Sequence, residues 1–106
     1  MLEIEIPSTG TKLQVANQEF SDQMTWEDAQ KVSSELDGGW RLPNREELEA
    51  MYQQLHKKKK GDFKKGKYWC SIEHSTNFAW YYNFKDGYAA NGLKTIPYFV
   101  RAVRAF

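Results

Sequence analysis

The 106-residue chain reads as an α+β domain in which two helices pack on antiparallel strands. Three observations carry this. The first residues alternate apolar and acidic with a period of two. Two capped, amphipathic helical stretches follow between residues 25 and 56. The remainder is rich in aromatic residues and broken by turn dipeptides. Strands, then helices, then several strands is the order of an α+β fold, not of a βαβ repeat. One domain over residues 1–106 can bury a single core of ordinary size.

Taken in order, Leu2-Glu3-Ile4-Glu5-Ile6 is a period-two strand ended by Pro7 and Gly10, and a second short strand is expected over Lys12–Val15. Asn17–Gln23 is polar and loop-like apart from Phe20. Thr25 and Asp28 stand at capping spacing before a helix expected from Trp26 to Leu36. Trp26, Ala29, Ser33 and Leu36 would share its buried face. Asp37-Gly38-Gly39 ends it, because glycine accepts the left-handed backbone that follows a helix.

The segment Gly39-Trp40-Arg41-Leu42-Pro43-Asn44 is the strongest local signal. Pro43 keeps Leu42 out of the helical region, Asn44 can cap, and Glu47 completes a capping box. The second helix is expected from Arg45 to His56, burying Leu48, Met51, Tyr52 and Leu55. Lysine-rich residues 57–67 form a loop. Strands are expected over Tyr68–Ile72, Ala79–Phe84 and Pro97–Phe106, with hairpin turns at Asp86-Gly87 and Asn91-Gly92.

Net charge is only +1, but residues 1–56 carry 4 basic and 11 acidic side chains, and residues 57–106 carry 11 basic and 3 acidic. That segregation suits either a polyanion site or contacts between copies of the chain. Cys70 is the single cysteine, which excludes a disulfide framework and a multi-cysteine zinc site. No apolar run approaches the roughly 20 residues that span a bilayer. The acidic alternation at the N-terminus is unlike a signal peptide. A cytoplasmic protein, or part of a phage particle, is expected; an extracellular site follows if the domain belongs to a longer secreted chain.

Several motifs, in order, resemble one family. Met24-Thr25-Trp26-Glu27-Asp28-Ala29, Trp40-Arg41-Leu42-Pro43-Asn44 with Glu47-Leu48, Tyr68-Trp69-Cys70-Ser71, Ala79-Trp80 to Phe84 with Gly87, and Val100-Arg101-Ala102-Val103-Arg104 are similar to the successive signatures of the Lcl C-terminal domain (DUF1566) family. The resemblance implies a C-type-lectin-like fold and a binding module, as in adhesins and phage receptor-binding tips; an adhesin of the family is associated with sulfated glycosaminoglycans. The chain departs from that pattern in having no collagen-like stalk. It also lacks the Glu-Pro-Asn or Gln-Pro-Asp triplets of calcium-dependent sugar binding.

For catalysis the residues offer little. Cys70 alternates with Trp69 on a strand and reads as a packed thiol, and no phosphate loop or His-Glu-x-x-His motif is present. Asp62, Glu73, Asn83, Asp86 and Asn91 follow no metal-loop spacing, so neither metal nor cofactor is expected. The binding candidates are Lys57, Lys58, Lys59, Lys60, Lys64, Lys65 and Lys67, whose ammonium groups would draw sulfate or phosphate polyanions, with Phe63 as a stacking residue among them. The alternative is a solvated loop that aids solubility.

On the aromatic strand, Trp80, Tyr82 and Phe84 share one face and Tyr81 and Asn83 the other. Tyr81, Asn83, Lys85 and Tyr88 are the expected ligand-facing set, with Trp69 and Trp80 in the core. Arg41, Arg101 and Arg104 are expected to pair with carboxylates or main-chain carbonyls. The expected function is non-enzymatic recognition of a polyanionic glycan or a protein surface. The alternatives are a nucleic-acid-associated protein using the lysine loop, and a homo-oligomer joining acidic and basic halves.

Overall fold

The computed structural model describes residues 2–105. Strands β1 (Leu2–Glu5) and β2 (Lys12–Val15) are followed by helices α1 (Trp26–Ser34) and α2 (Arg45–Gln54) and a 3-10 turn over His56–Lys58. Strands β3 (Lys67–Glu73), β4 (Phe78–Asn83), β5 (Tyr88–Leu93) and β6 (Val103–Ala105) complete the chain. The fold is α+β with two antiparallel three-stranded sheets, ordered β1-β2-β6 and β3-β4-β5.

The first sheet joins the two ends of the chain, with Ile4 opposite Leu13 and Val15 opposite Val103. In the second, Trp69 lies opposite Tyr81 and the β3–β4 register shifts between Trp69 and Glu73. The second sheet is covered on both faces. Tyr68, Cys70, Tyr82 and Phe84 join Leu48, Met51 and the first sheet's Ile4 and Val15 in one core. Trp69 and Ala79 join Ala29, Leu42, Tyr98 and Val100 in another.

Both helix starts follow from their residues. Thr25 Oγ1 accepts from the Asp28 N–H at 3.4 Å. Asn44 Oδ1 accepts from the Glu47 N–H, and Glu47 Oε1 accepts from the Asn44 N–H, each at 2.8 Å. Glu47 does more than cap, because Arg41 donates to both of its carboxylate oxygens at 2.7 Å. One buried carboxylate therefore ties the extended Trp40–Pro43 segment to the helix start.

Four expectations change. Helix α1 stops at Ser34, which leaves Leu36 outside it and 40% exposed. Helix α2 stops at Gln54, and His56 belongs to the tighter turn after it. Asn91-Gly92 is not a hairpin turn but lies within β5, paired with Trp80 and Ala79. Glycine is required there by close approach: a Cβ on Gly92 would sit 2.8 Å from the Tyr98 ring. Finally, the strand expected from Pro97 is regular only over Val103–Ala105, since residues before it make isolated bridges to Met24 and Tyr68 from different parts of the fold. Phe106 lies outside the described residues.

Candidate functional site

The lysine run is fastened to the core along its length. The Leu55 carbonyl accepts from the N–H groups of Lys58 at 3.1 Å and Lys60 at 2.9 Å. Lys59 and Asp62 adopt positive φ (58° and 53°), which turns the chain back on itself. Phe63 is a core residue and not a surface ring: it is 9% exposed and packs on Phe84 at 5.1 Å and Tyr68 at 5.8 Å. This corrects its expected stacking role. An apolar ring in a polar loop is more valuable as the loop's anchor.

Arg101 completes the fastening. Its side chain is 1% exposed and donates to the carbonyls of Gly61 at 2.7 Å and Ala16 at 3.0 Å. It lies 4.1 Å from the Phe63 ring centre and 3.4 Å from a Glu19 carboxylate oxygen. Glu19 in turn accepts from the Tyr68 hydroxyl, whose oxygen accepts from the Lys64 N–H at 2.9 Å. Burial pushes the Tyr68 hydroxyl well above the ordinary phenol range, so it stays protonated and can donate. Arg104 is held by the Gln14 amide oxygen at 2.8 Å and lies over Trp40 at 4.7 Å, where a carboxylate or carbonyl partner was expected.

With its backbone fixed, the run presents Lys57, Lys58, Lys59, Lys60, Lys64 and Lys65 as exposed side chains. Lys67 is half-buried, its ammonium 5.0 Å from the Tyr81 ring and 5.4 Å from the Tyr98 ring. A groove of about 530 Å³ brings Lys65, Lys67, Asn83 and Lys85 together, with Gln23 and Tyr98 in its wall. Lys57 extends this surface, lying over the Tyr52 ring at 6.0 Å. Tyr52 packs against Gly87 in the β4–β5 turn, the turn that carries Lys85. Lys65 also lies near His56. Burial is the largest cause that holds that imidazole's pKa below its usual range, and Lys65 adds a smaller lowering. None of the seven lysines forms an ion pair with a carboxylate among the described residues.

The aromatic candidates divide. Tyr81 is half-buried, its ring 5.2 Å from Tyr98, with Lys67 over it. Asn83 organises the turn, its Oδ1 accepting from the Lys85 N–H at 2.9 Å. Tyr88 is 56% exposed but lines a separate hollow with Arg45 and Glu49. Trp69 is fully buried, as expected. Trp80 is not: it is half-buried and borders a surface hollow with Arg45 and Ile72. Gln23 and Tyr98 were missed because the loop and the bridging segment that carry them show no periodicity.

Cys70 is fully buried, and burial pushes its thiol up to about 12. Among the described residues no three His, Cys, Asp or Glu side chains gather as metal ligands, and no helix is long and apolar enough to cross a membrane.

Fold and site together define a small α+β domain carrying a cluster of lysines that form no ion pair with a carboxylate among the described residues. The model of the Lcl C-terminal domain matches residues 8–104, and the chain belongs to that family. No curated protein matches it.

Proposed function

We propose that this is a C-type-lectin-like recognition module for polyanionic glycans, with sulfate groups bound along Lys57–Lys60 and in the Lys65–Lys67–Lys85 groove. The carrying observation is the anchorage of the lysine run. A solubility segment has no need of a buried arginine, a buried phenylalanine and a tyrosine hydroxyl to fix its backbone. A fixed backbone lowers the ordering cost of binding, although each lysine side chain still loses rotamer freedom. Sulfate suits ammonium groups as point charges without requiring planar forks.

Nucleic acid is the weaker ligand here. Its bases would need exposed rings beside the lysines to stack on, yet Phe63 is in the core, Tyr81 lies beneath Lys67, and the exposed Tyr88 lines a separate hollow with Arg45 and Glu49. The unpaired, buried Cys70 is compatible with the cytoplasm or a particle assembled there.

The test compares a heparin fragment with a single-stranded oligonucleotide of equal charge, at low and physiological salt. Heparin is expected to bind more tightly at physiological salt. Lys57–Lys60→Ser and Lys65→Ser/Lys85→Ser variants should each weaken it by about tenfold or more, given the charge-led affinity of such sites. Tighter oligonucleotide binding would sink the glycan assignment. Binding of neither would leave the lysines as a solvated surface and turn attention to protein partners.

A further inference from the structure

Each three-stranded sheet has two outer strands; β6 and β3 are bridged on their outer sides by Arg41 and Phe99, and the remaining two, β1 and β5, are treated differently. On β1, the Glu5 N–H donates to Gln54 Oε1 at 2.9 Å and Gln54 Nε2 donates to the Glu5 carbonyl at 2.7 Å. A side-chain amide of α2 thus closes that edge, and Glu3 and Glu5 add charge that would repel a second strand like it. Capping groups and charges are the ordinary protection of a sheet edge.

Strand β5 has none of these. It is the outer strand of the second sheet, with β4 as its strand neighbour. Its six residues, Tyr88-Ala89-Ala90-Asn91-Gly92-Leu93, contain neither charge nor proline, and the register with β4 runs unbroken. Lys94 donates its N–H to the Asn77 carbonyl at 2.9 Å, which fixes the phase of the ladder. By the alternation of antiparallel pairs, Tyr88, Ala90 and Gly92 bond to β4, while Ala89, Asn91 and Leu93 turn their main-chain groups outward. Of those groups only the Leu93 carbonyl has a partner among the described residues, the Ile96 N–H at 3.1 Å. Tyr88 and Leu93 are also 56% and 41% exposed.

We infer that β5 is a homodimerisation edge, pairing antiparallel with β5 of a second copy about a two-fold axis at Asn91. In that register Asn91 meets Asn91, and a carboxamide can both donate to and accept from its like. Ala89 of one copy meets Leu93 of the other, covering an exposed apolar side chain. Ala90 meets Gly92, so no bulk obstructs the approach. No like charges are opposed, whereas a self-pairing of β1 would oppose Glu3 and Glu5. Self-complementarity at every position is what a two-fold interface demands, and it selects a second copy over an unrelated strand. The result is a continuous six-stranded sheet. The pairing rests on main-chain bonds and apolar contact, so it is distinct from an association of acidic and basic halves.

The experiment is sedimentation analysis of the whole chain over a concentration series reaching about 1 mM, at low salt and at about 0.5 M NaCl, where the screening length is a few ångströms. A dimer with a dissociation constant of about 10–100 µM is expected, in keeping with a small interface, and it should persist at high salt. Asn91 is exposed, so Asn91→Lys should leave the fold intact while setting two ammonium groups opposite each other. Asn91→Pro removes an N–H that β4 does not use. Each should weaken the dimer at least about tenfold with an unchanged circular dichroism spectrum. In the wild type, the Asn91 and Leu93 amides should gain exchange protection as concentration rises. A wild-type monomer at all concentrations, a dimer indifferent to both variants, or one that salt dissolves would each overturn the inference.

Discussion

Arg101 shows how much one side chain carries here. It is buried, donates to two carbonyls far apart in sequence and packs on Phe63, while its Nε has no partner among the described residues. Arg101→Met would fill much of the same space but leave the Gly61 and Ala16 carbonyls without their Arg101 donor and Glu19 with the Tyr68 hydroxyl in place of its cation. A loss of about 2–5 kcal/mol in denaturant unfolding is expected, with faster proteolysis within residues 60–67. Stable protein with an unchanged cleavage pattern would remove Arg101 as the loop's clamp. His56 offers a second test. Its folded pKa is depressed, so the unfolded chain takes up the proton at the higher pH. Stability should therefore be fully present above the unfolded imidazole value of about 6.5 and fall as pH drops from there through the folded value. Unfolding curves for His56→Gln should lack that part of the pH dependence. If wild type and variant decline in parallel between pH 7 and 5, His56 is not the responsible group. Cys70, with its thiol pushed up to about 12 by burial, should resist a thiol-specific reagent at neutral pH until the protein unfolds.

At the scale of elements, α2 depends on Glu47, which accepts from the Asn44 N–H and from Arg41. Glu47→Ala should cost about 2–3 kcal/mol, and Glu47→Gln distinctly less, because the amide keeps an oxygen for the cap. Equal losses would mean that the charge, and not the capping bond, dominates. This element was legible in the chain because its determinants are local: Pro43, Asn44 and Glu47 lie within five positions. The same holds for β1, β2 and the Asp86-Gly87 turn, where Gly87 takes φ +81° and a Cβ would meet the Tyr52 ring at 2.7 Å. What was not legible was non-local. Asn91-Gly92 has the composition of a turn, yet Gly92 sits mid-strand because Tyr98 presses on it. Residues 97–102 look like a strand, yet bridge to several elements without joining a regular sheet. The half-burial of Tyr81 and Asn83 was not legible for a related reason. Alternation separates the two faces of a strand but does not say whether both are covered.

At the scale of the molecule, charge that is segregated along the chain is not separated in space. Strand β6, from the basic half, joins β1 and β2, and α2, from the acidic half, packs on β3 and β4. Even so, the halves scarcely neutralise each other. Arg101–Glu19 is the one ion pair between them among the described residues, while Arg41–Glu47 and Lys94–Glu73 each stay within one half. The lysine run was visible in the sequence, but its convergence with Lys85 was not, because only the fold brings the β4–β5 turn beside Lys65. An un-neutralised cluster on a fixed backbone repels itself in the folded state more than in the expanded unfolded chain. Added salt should relieve that repulsion, since at 0.1 M the screening length is about 10 Å. The melting temperature should therefore rise by a few degrees between about 10 and 200 mM NaCl. A sulfated oligosaccharide should produce a similar rise at micromolar concentration, by binding the folded state alone. Lys57–Lys60→Ser should flatten the salt response and weaken the ligand response together. A melting temperature that falls with salt would mean that attraction between the acidic and basic surfaces outweighs repulsion among the lysines, and the cluster would not be the poised anion site inferred from its geometry.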